Sequence, residues 1–216
     1  MTQAPWTLDD EINEHLATLE LPPEPVVKQY MAERKPIEAA APKTGDHAPD
    51  FSVELLTDSG SRSGINASLS SFRGRNLALI FGNYTCPIYR GQFEVYREMH
   101  AQYKEQLSFL MIYVKEEHPE DGWQLDINRA QSCIYYQPAS ADERAGIAAD
   151  FMQRFAVEMP VAIDAMDNSV CTLYAGSPER LYVIDAEGVV THHSDPGPFA
   201  MDAVEAWCAA VRESAA

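Results

Sequence analysis

The run Leu77-Ala-Leu-Ile-Phe81 is unbroken apolar sequence that ends at Gly82. It is too short for a buried helix and lacks the alternation of a strand with one wet face, so it fits a strand covered on both sides. Such a strand needs helices above and below it, which confines the chain to α/β architectures. Leu107 to Val114, Pro160-Val-Ala-Ile-Asp164, Arg180-Leu-Tyr-Val-Ile-Asp185 and Val189-Val-Thr-His-His193 are further strand candidates, the last two forming a hairpin across Ala-Glu-Gly. Tyr89, Phe93, Tyr96, His100 and Tyr103 recur at helical spacing. Asp142 to Phe155, Ser169 to Tyr174 and Met201 to Arg212 predict further helices. Together these predict an α/β domain with a central mixed β-sheet flanked by helices.

Ahead of this domain, residues 7 to 34 read as two short helices. Thr7 with Asp10 resembles a capping box, Ile12, Leu16 and Leu19 share a face, and Pro22-Pro23 ends the first. Val26, Val27, Tyr30 and Met31 give the second its stripe, and Pro36 to Pro49 reads as a linker. The expected division is a helical arm and linker over 1–44 and a domain over 45–216. The arm should pack on its own domain or on a twin, the second case making a homodimer.

A formal charge of −17 and a pI near 4.6 argue against nucleic acid or an anionic membrane as partner, because both would repel the chain. No apolar run reaches the roughly 18 residues of a membrane span, and the first ten residues lack the basic and apolar regions of a signal peptide. The expectation is a soluble, cytoplasmic protein. Cys86, Cys133, Cys171 and Cys208 are too widely spaced for a short metal cluster or a small disulfide scaffold. His192-His193 with Asp195 makes a poor metal site, since adjacent strand residues point to opposite faces.

Cys86 stands where the Leu77 strand gives way to the Tyr89 helix, with Pro87 suited to the first helical position. Unpaired amides and the dipole at a helix N-terminus favour thiolate over thiol, so Cys86 is a candidate nucleophile. The competing reading is a small buried hydrophobe.

Several separated motifs resemble known families. Gly45-Asp-His-Ala-Pro-Asp-Phe51, Leu69-Ser-Ser-Phe-Arg-Gly74 and the strand into Cys86-Pro87 are similar to the opening of redoxins and peroxiredoxins, members of the thioredoxin fold. Ser177-Pro178-Glu-Arg-Leu-Tyr-Val-Ile-Asp-Ala-Glu-Gly188 is similar to their proline-strand-turn segment, which implies a cis Ser177-Pro178 bond facing the thiol. Ile112-Tyr-Val-Lys-Glu-Glu-His-Pro-Glu-Asp-Gly-Trp123 resembles the hallmark insertion of the iodothyronine deiodinases. Gly82 to Pro87 resembles their selenocysteine loop, with Cys86 where selenium would stand, and Asp164 to Asn168, Leu173-Tyr174 and Pro196-Gly-Pro198 match too.

The resemblance implies reductive dehalogenation of iodinated phenols by the Cys86 thiolate. It places Thr85 and Tyr113 beside the sulfur, makes Glu116 and His118 a proton relay, and puts Arg180 near the substrate's amino-acid end and Pro178 against the thiol. Histidine shuttles protons well at neutral pH, and a nearby carboxylate would fix its tautomer. Three residues depart from the family pattern: cysteine replaces selenocysteine, Lys115 stands where an acid is expected, and a family histidine falls near Pro138.

Tyr89 stands where a dithiol thioredoxin has its second cysteine, so a resolving thiol must come from elsewhere. Cys133 is the best internal candidate, while Cys171 and Cys208 fit the core. No bound cofactor is expected, and the electrons would come from a small thiol or a thioredoxin-like protein. The same sulfur supports an alternative, a peroxiredoxin-like peroxidase passing through a sulfenic acid. Asn83 occupies the place of the Thr or Ser those enzymes carry, although an Asn amide can still donate a hydrogen bond. A third reading is a non-catalytic interaction protein that retains Cys86 as packing.

Overall fold

The computed structural model describes residues 24–195 and 201–215. The expected first arm helix and Pro196-Gly-Pro198 lie outside them. In chain order the elements are α1 (Glu24–Ala40), β1 (Ser52–Leu56), β2 (Arg62–Ser68), a 3₁₀ turn (Leu69–Phe72), β3 (Leu77–Gly82), α2 (Pro87–Tyr103) and β4 (Ser108–Tyr113). There follow α3 (Asp126–Ala130), α4 (Ala141–Arg154), β5 (Val161–Ile163), α5 (Ser169–Leu173), β6 (Arg180–Ile184), β7 (Val190–His193) and α6 (Met201–Ser214). The strands form one mixed sheet in the order β2-β1-β5-β4-β3-β6-β7, with β3, β4 and β5 parallel and the other pairs antiparallel.

The pleat explains why β3 is apolar throughout. Ala78 and Ile80 enter one core layer with Phe93, Tyr96, Phe151 and Trp207, while Leu77, Leu79 and Phe81 enter the other with Ile112, Tyr174 and Tyr182. Every β3 side chain is therefore buried, and Gly82 ends the strand where the ring of Tyr89 packs so closely that a Cβ would overlap it. The turn that follows delivers Cys86 to the N-cap of α2, with Pro87 at its first position.

The arm differs from the expected linker. The helix runs through Pro36 to Ala40, where a proline costs a hydrogen bond. Tertiary contacts outweigh that cost. Arg180 Nη2 donates to both carboxylate oxygens of Glu38, each at 2.6 Å, and Tyr30 Oη donates to Glu117 at 2.9 Å. Arg34 lies 2.6 Å from the same Glu38 carboxylate, close enough for an ion pair but not aligned for a hydrogen bond. Thus α1 packs on its own chain, with Tyr30 and Met31 still exposed. We expect Glu38→Gln to lower stability by about 1–3 kcal/mol, because it leaves a buried guanidinium underpaired while Glu38 itself keeps some solvent contact. Urea-unfolding midpoints of wild type and variant check this. Among the described residues no helix is long and apolar enough to cross a membrane.

Candidate active site

Asn83 organises the loop between β3 and α2. Its Oδ1 accepts hydrogen bonds from the Cys86 amide (3.1 Å), the Thr85 hydroxyl (3.1 Å) and the Glu117 amide (3.2 Å), and its Nδ2 donates to the Pro178 carbonyl (2.9 Å). One fully buried amide thereby ties together the cysteine, the insertion after β4 and the Ser177-Pro178 bond, which is cis as expected.

Thr85, Tyr113, Glu116 and His118 come together as the motif implied. The Thr85 amide donates to Glu116 Oε2 at 2.9 Å, and the Tyr113 hydroxyl donates to Glu116 Oε1 at 2.5 Å while accepting from the Tyr84 amide at 2.9 Å. The His118 amide donates to Thr85 Oγ1 at 3.0 Å. All four residues are buried. Burial pushes the Glu116 carboxyl above the ordinary carboxylate value, and the hydrogen bonds from Tyr113 and Thr85 pull against it. Burial, reinforced by Glu116, holds the Tyr113 phenol well above its ordinary value, so it stays a donor.

Three expectations change. The first is the thiolate: Cys86 is buried, and burial pushes its thiol well above the ordinary value, with Glu179 and Glu117 adding to the effect. The Tyr89 amide pulls the other way without closing a capping bond, so desolvation outweighs the helix N-terminus and the resting group is a thiol. The second is the relay. The ring of His118 stands edge-on to Trp123, and Nδ1 lies 2.9 Å from the Trp123 carbonyl, which accepts only. That carbonyl sets the tautomer at this nitrogen, with a proton on Nδ1.

The third is Arg180. Its side chain is 3% exposed and is committed to Glu38, the Ser194 carbonyl (2.9 Å) and the Ala175 carbonyl (3.2 Å), so it clamps α1 to the sheet rather than facing a ligand.

Cys133 sits beneath the same loop. Its thiol donates to the Tyr84 carbonyl at 3.3 Å and accepts from Arg90 at 3.5 Å, while burial pushes it up to about 12. That is a packed core thiol, poorly prepared to resolve a partner. Cys86, Cys133, Cys171 and Cys208 are all free and buried.

Sequence reasoning missed Glu117, Asn128, Arg90 and Glu179. Glu117 accepts from Tyr30 (2.9 Å) and Ser177 (2.7 Å), joining the arm to the cis-proline loop. Asn128 donates to the Thr85 carbonyl (2.9 Å), and Arg90 donates to Asn128 (2.9 Å) and the Tyr84 carbonyl (2.7 Å). A cavity of about 200 Å³ opens next to this region, lined among others by Tyr30, Arg34, Lys115, Cys171, Thr172 and Ser177.

Solved structures share the fold. A putative protein disulfide isomerase from Bacteroides thetaiotaomicron superposes with a TM-score of 0.56 at 18% identity, covering 80% of this chain and 90% of that one. Peroxidoxin BcpB from Mycobacterium tuberculosis gives 0.54 at 16% identity, with 80% and 97% covered. The architecture is thus thioredoxin-like.

Among curated proteins, a thyroxine 5-deiodinase of Gallus gallus is 35% identical over 116 residues, 54% of this chain and 43% of that protein. Its counterpart in Bos taurus is 30% identical over 135 residues, 62% of this chain and 43% of that protein. The type II iodothyronine deiodinase of Homo sapiens is 25% identical over 179 residues, 76% and 65% respectively. The chain therefore covers less than half the length of the first two. The family model for iodothyronine deiodinase matches residues 26–211, a span that takes in most of α1, the Asn83 loop and the insertion carrying Glu116 and His118, and the chain belongs to that family.

Proposed function

We propose that this protein is a thiol-dependent oxidoreductase that removes iodine reductively from iodinated phenols, with the Cys86 sulfur as nucleophile. The observation that carries this reading is the family match over residues 26–211, within which Asn83, Thr85, Tyr113 and Glu116 form one buried hydrogen-bonded site around Cys86. The sulfur bonds to iodine, the carbon–iodine electron pair passes to the ring carbon, and that carbon takes a proton. An external thiol then displaces iodide from sulfur, and a second thiol releases Cys86. Such thiols are the electron source in this reading, and a reducing compartment such as the cytosol suits them.

The cavity beside Ser177 is smaller than the roughly 300–1,000 Å³ of a drug-sized site, so it takes one end of a substrate. Its lining carries Arg34 and Lys115 together with Glu33 and Asp167, so that end of the substrate meets groups of both charges.

The peroxidase reading loses ground on one specific contact: the Asn83 amide NH₂, which would have to steer a peroxide, donates to the Pro178 carbonyl. The test is a side-by-side assay of wild type with an iodinated phenol and with hydrogen peroxide, using the same thiol reductant. Iodide release exceeding peroxide consumption supports the proposal. Peroxide turnover without iodide release would overturn it.

A further inference from the structure

Glu179 is a carboxyl group where carboxyl groups are costly. It is fully buried, and neither oxygen has a hydrogen-bond partner among the described residues. Native chains rarely leave such a group unpaired unless it serves some purpose. The pleat tells which way it faces. On β6, Tyr182 and Ile184 enter one core layer and Leu181 and Val183 the other, so period two assigns Glu179 to the layer of Leu181 and Val183. That layer contains Cys86, Tyr89, Tyr96 and Cys208. Glu179 also follows Pro178 directly, and the carbonyl of Pro178 is held by the same Asn83 that holds the Cys86 amide. The Tyr89 hydroxyl, three residues past Cys86, is likewise buried without a partner among the described residues.

The groups around the sulfur are few. Glu179 is the foremost charge acting on Cys86, on Tyr89 and on Tyr96, all on or capping α2. Glu117 from the loop after β4 and Arg90 from α2 act on Cys86 in opposite senses, and Cys208 of α6 acts on Tyr96.

We propose that Glu179, which makes no hydrogen bond to Cys86 in the resting site, is the internal proton acceptor of Cys86, the two coming to share one mobile proton in the reactive form. The pair first loses one proton to solvent, from the carboxyl, whose ordinary value is the lower. The carboxylate then takes the thiol proton as sulfur bonds to iodine: S–H breaks, O–H and S–I form, and the carbon–iodine pair moves onto the ring carbon. The carboxylic acid gives that proton to the ring carbon, so Cys86 thiol and aryl iodide become sulfenyl iodide and deiodinated arene. Two external thiols return Cys86 to the thiol, yielding a disulfide, iodide and a proton. This inference rests on Cys86 as the nucleophile of the proposed function.

The test needs no substrate. An isotope label at cysteine Cβ, assigned with Cys86→Ser, reports ionisation of Cys86 by NMR even while the thiol is buried. Wild type should show two inflections, Glu179→Gln only one, lying about one pH unit or more below the upper wild-type inflection, and Glu179→Asp should restore two. A single inflection in wild type, no inflection before the fold melts, or a Gln variant that titrates like wild type would overturn the proposal. Two inflections in a protein that releases no iodide would leave this pair standing while the proposed function falls.

Discussion

Cys86→Ser is expected to abolish iodide release while leaving the fold in place. The serine oxygen is a far weaker nucleophile toward iodine than sulfur, and its hydroxyl is far less acidic than a thiol. Structurally the exchange is mild. The position 86 amide still donates to Asn83, Pro87 still opens α2, and the cost is that of a buried hydroxyl in place of a thiol, about 1–3 kcal/mol. Cys86→Ala, which adds no polar atom, should lose the activity equally with a smaller change in unfolding midpoint. Turnover surviving in either variant would move the nucleophile elsewhere and remove the basis of the mechanism.

How far this site could be read from the sequence depends on depth. The helix N-terminus at Cys86 was visible because Pro87 and the apolar run before it are local signals. The thiolate was not, because the local argument counts first-turn amides and cannot count the layers that α2, β6 and the insertion place over the sulfur. Glu179 left a usable trace, an acid between a cis-proline motif and the strand Leu181 to Ile184, on the face of Leu181 and Val183. It was passed over because a charged residue at a strand start reads as solvated.

Among the elements, β3, β4, β6 and α2 were legible from unbroken or periodic apolar runs. β2 was not, since Arg-Ser-Gly-Ile-Asn-Ala-Ser is an edge strand, largely exposed, that pairs through its backbone with β1. α3 is five residues capped by Leu125 without a side-chain bond, too short for any period to show. The reach of α1 past Pro36 depends on Glu38 meeting Arg180, a contact 142 residues away in sequence.

The burial of Glu179 has its own consequence for stability. Its carboxyl value is raised in the folded chain, so between the unfolded value and the folded one the native state holds a proton that the unfolded state has lost, and stability falls as pH rises. Each pH unit in that window removes about 1.4 kcal/mol for one such group. Glu179→Gln cannot titrate, so the stability difference between variant and wild type should grow with pH above the ordinary carboxylate range, a trend that urea unfolding at several pH values checks.

The larger structural effect belongs to Glu116. Replacing it with leucine removes the acceptor of two buried donors, the Tyr113 hydroxyl and the Thr85 amide, at about 1–3 kcal/mol each. The expected loss is about 2–6 kcal/mol, measured by chemical denaturation. Glu116→Gln keeps one acceptor oxygen and should cost less, since Tyr113 or Thr85 can still be served. The functional consequence follows from the same bonds. Thr85 holds the Glu116 side chain and the His118 amide, and Asn83 holds Thr85 and Cys86, so loosening Glu116 loosens the mutual placement of His118 and the sulfur. Iodide release should therefore fall in Glu116→Gln by more than its stability loss explains, at a temperature where both proteins are fully folded. A Gln variant with wild-type turnover would show that the carboxylate serves only as a brace between β4 and the cysteine loop.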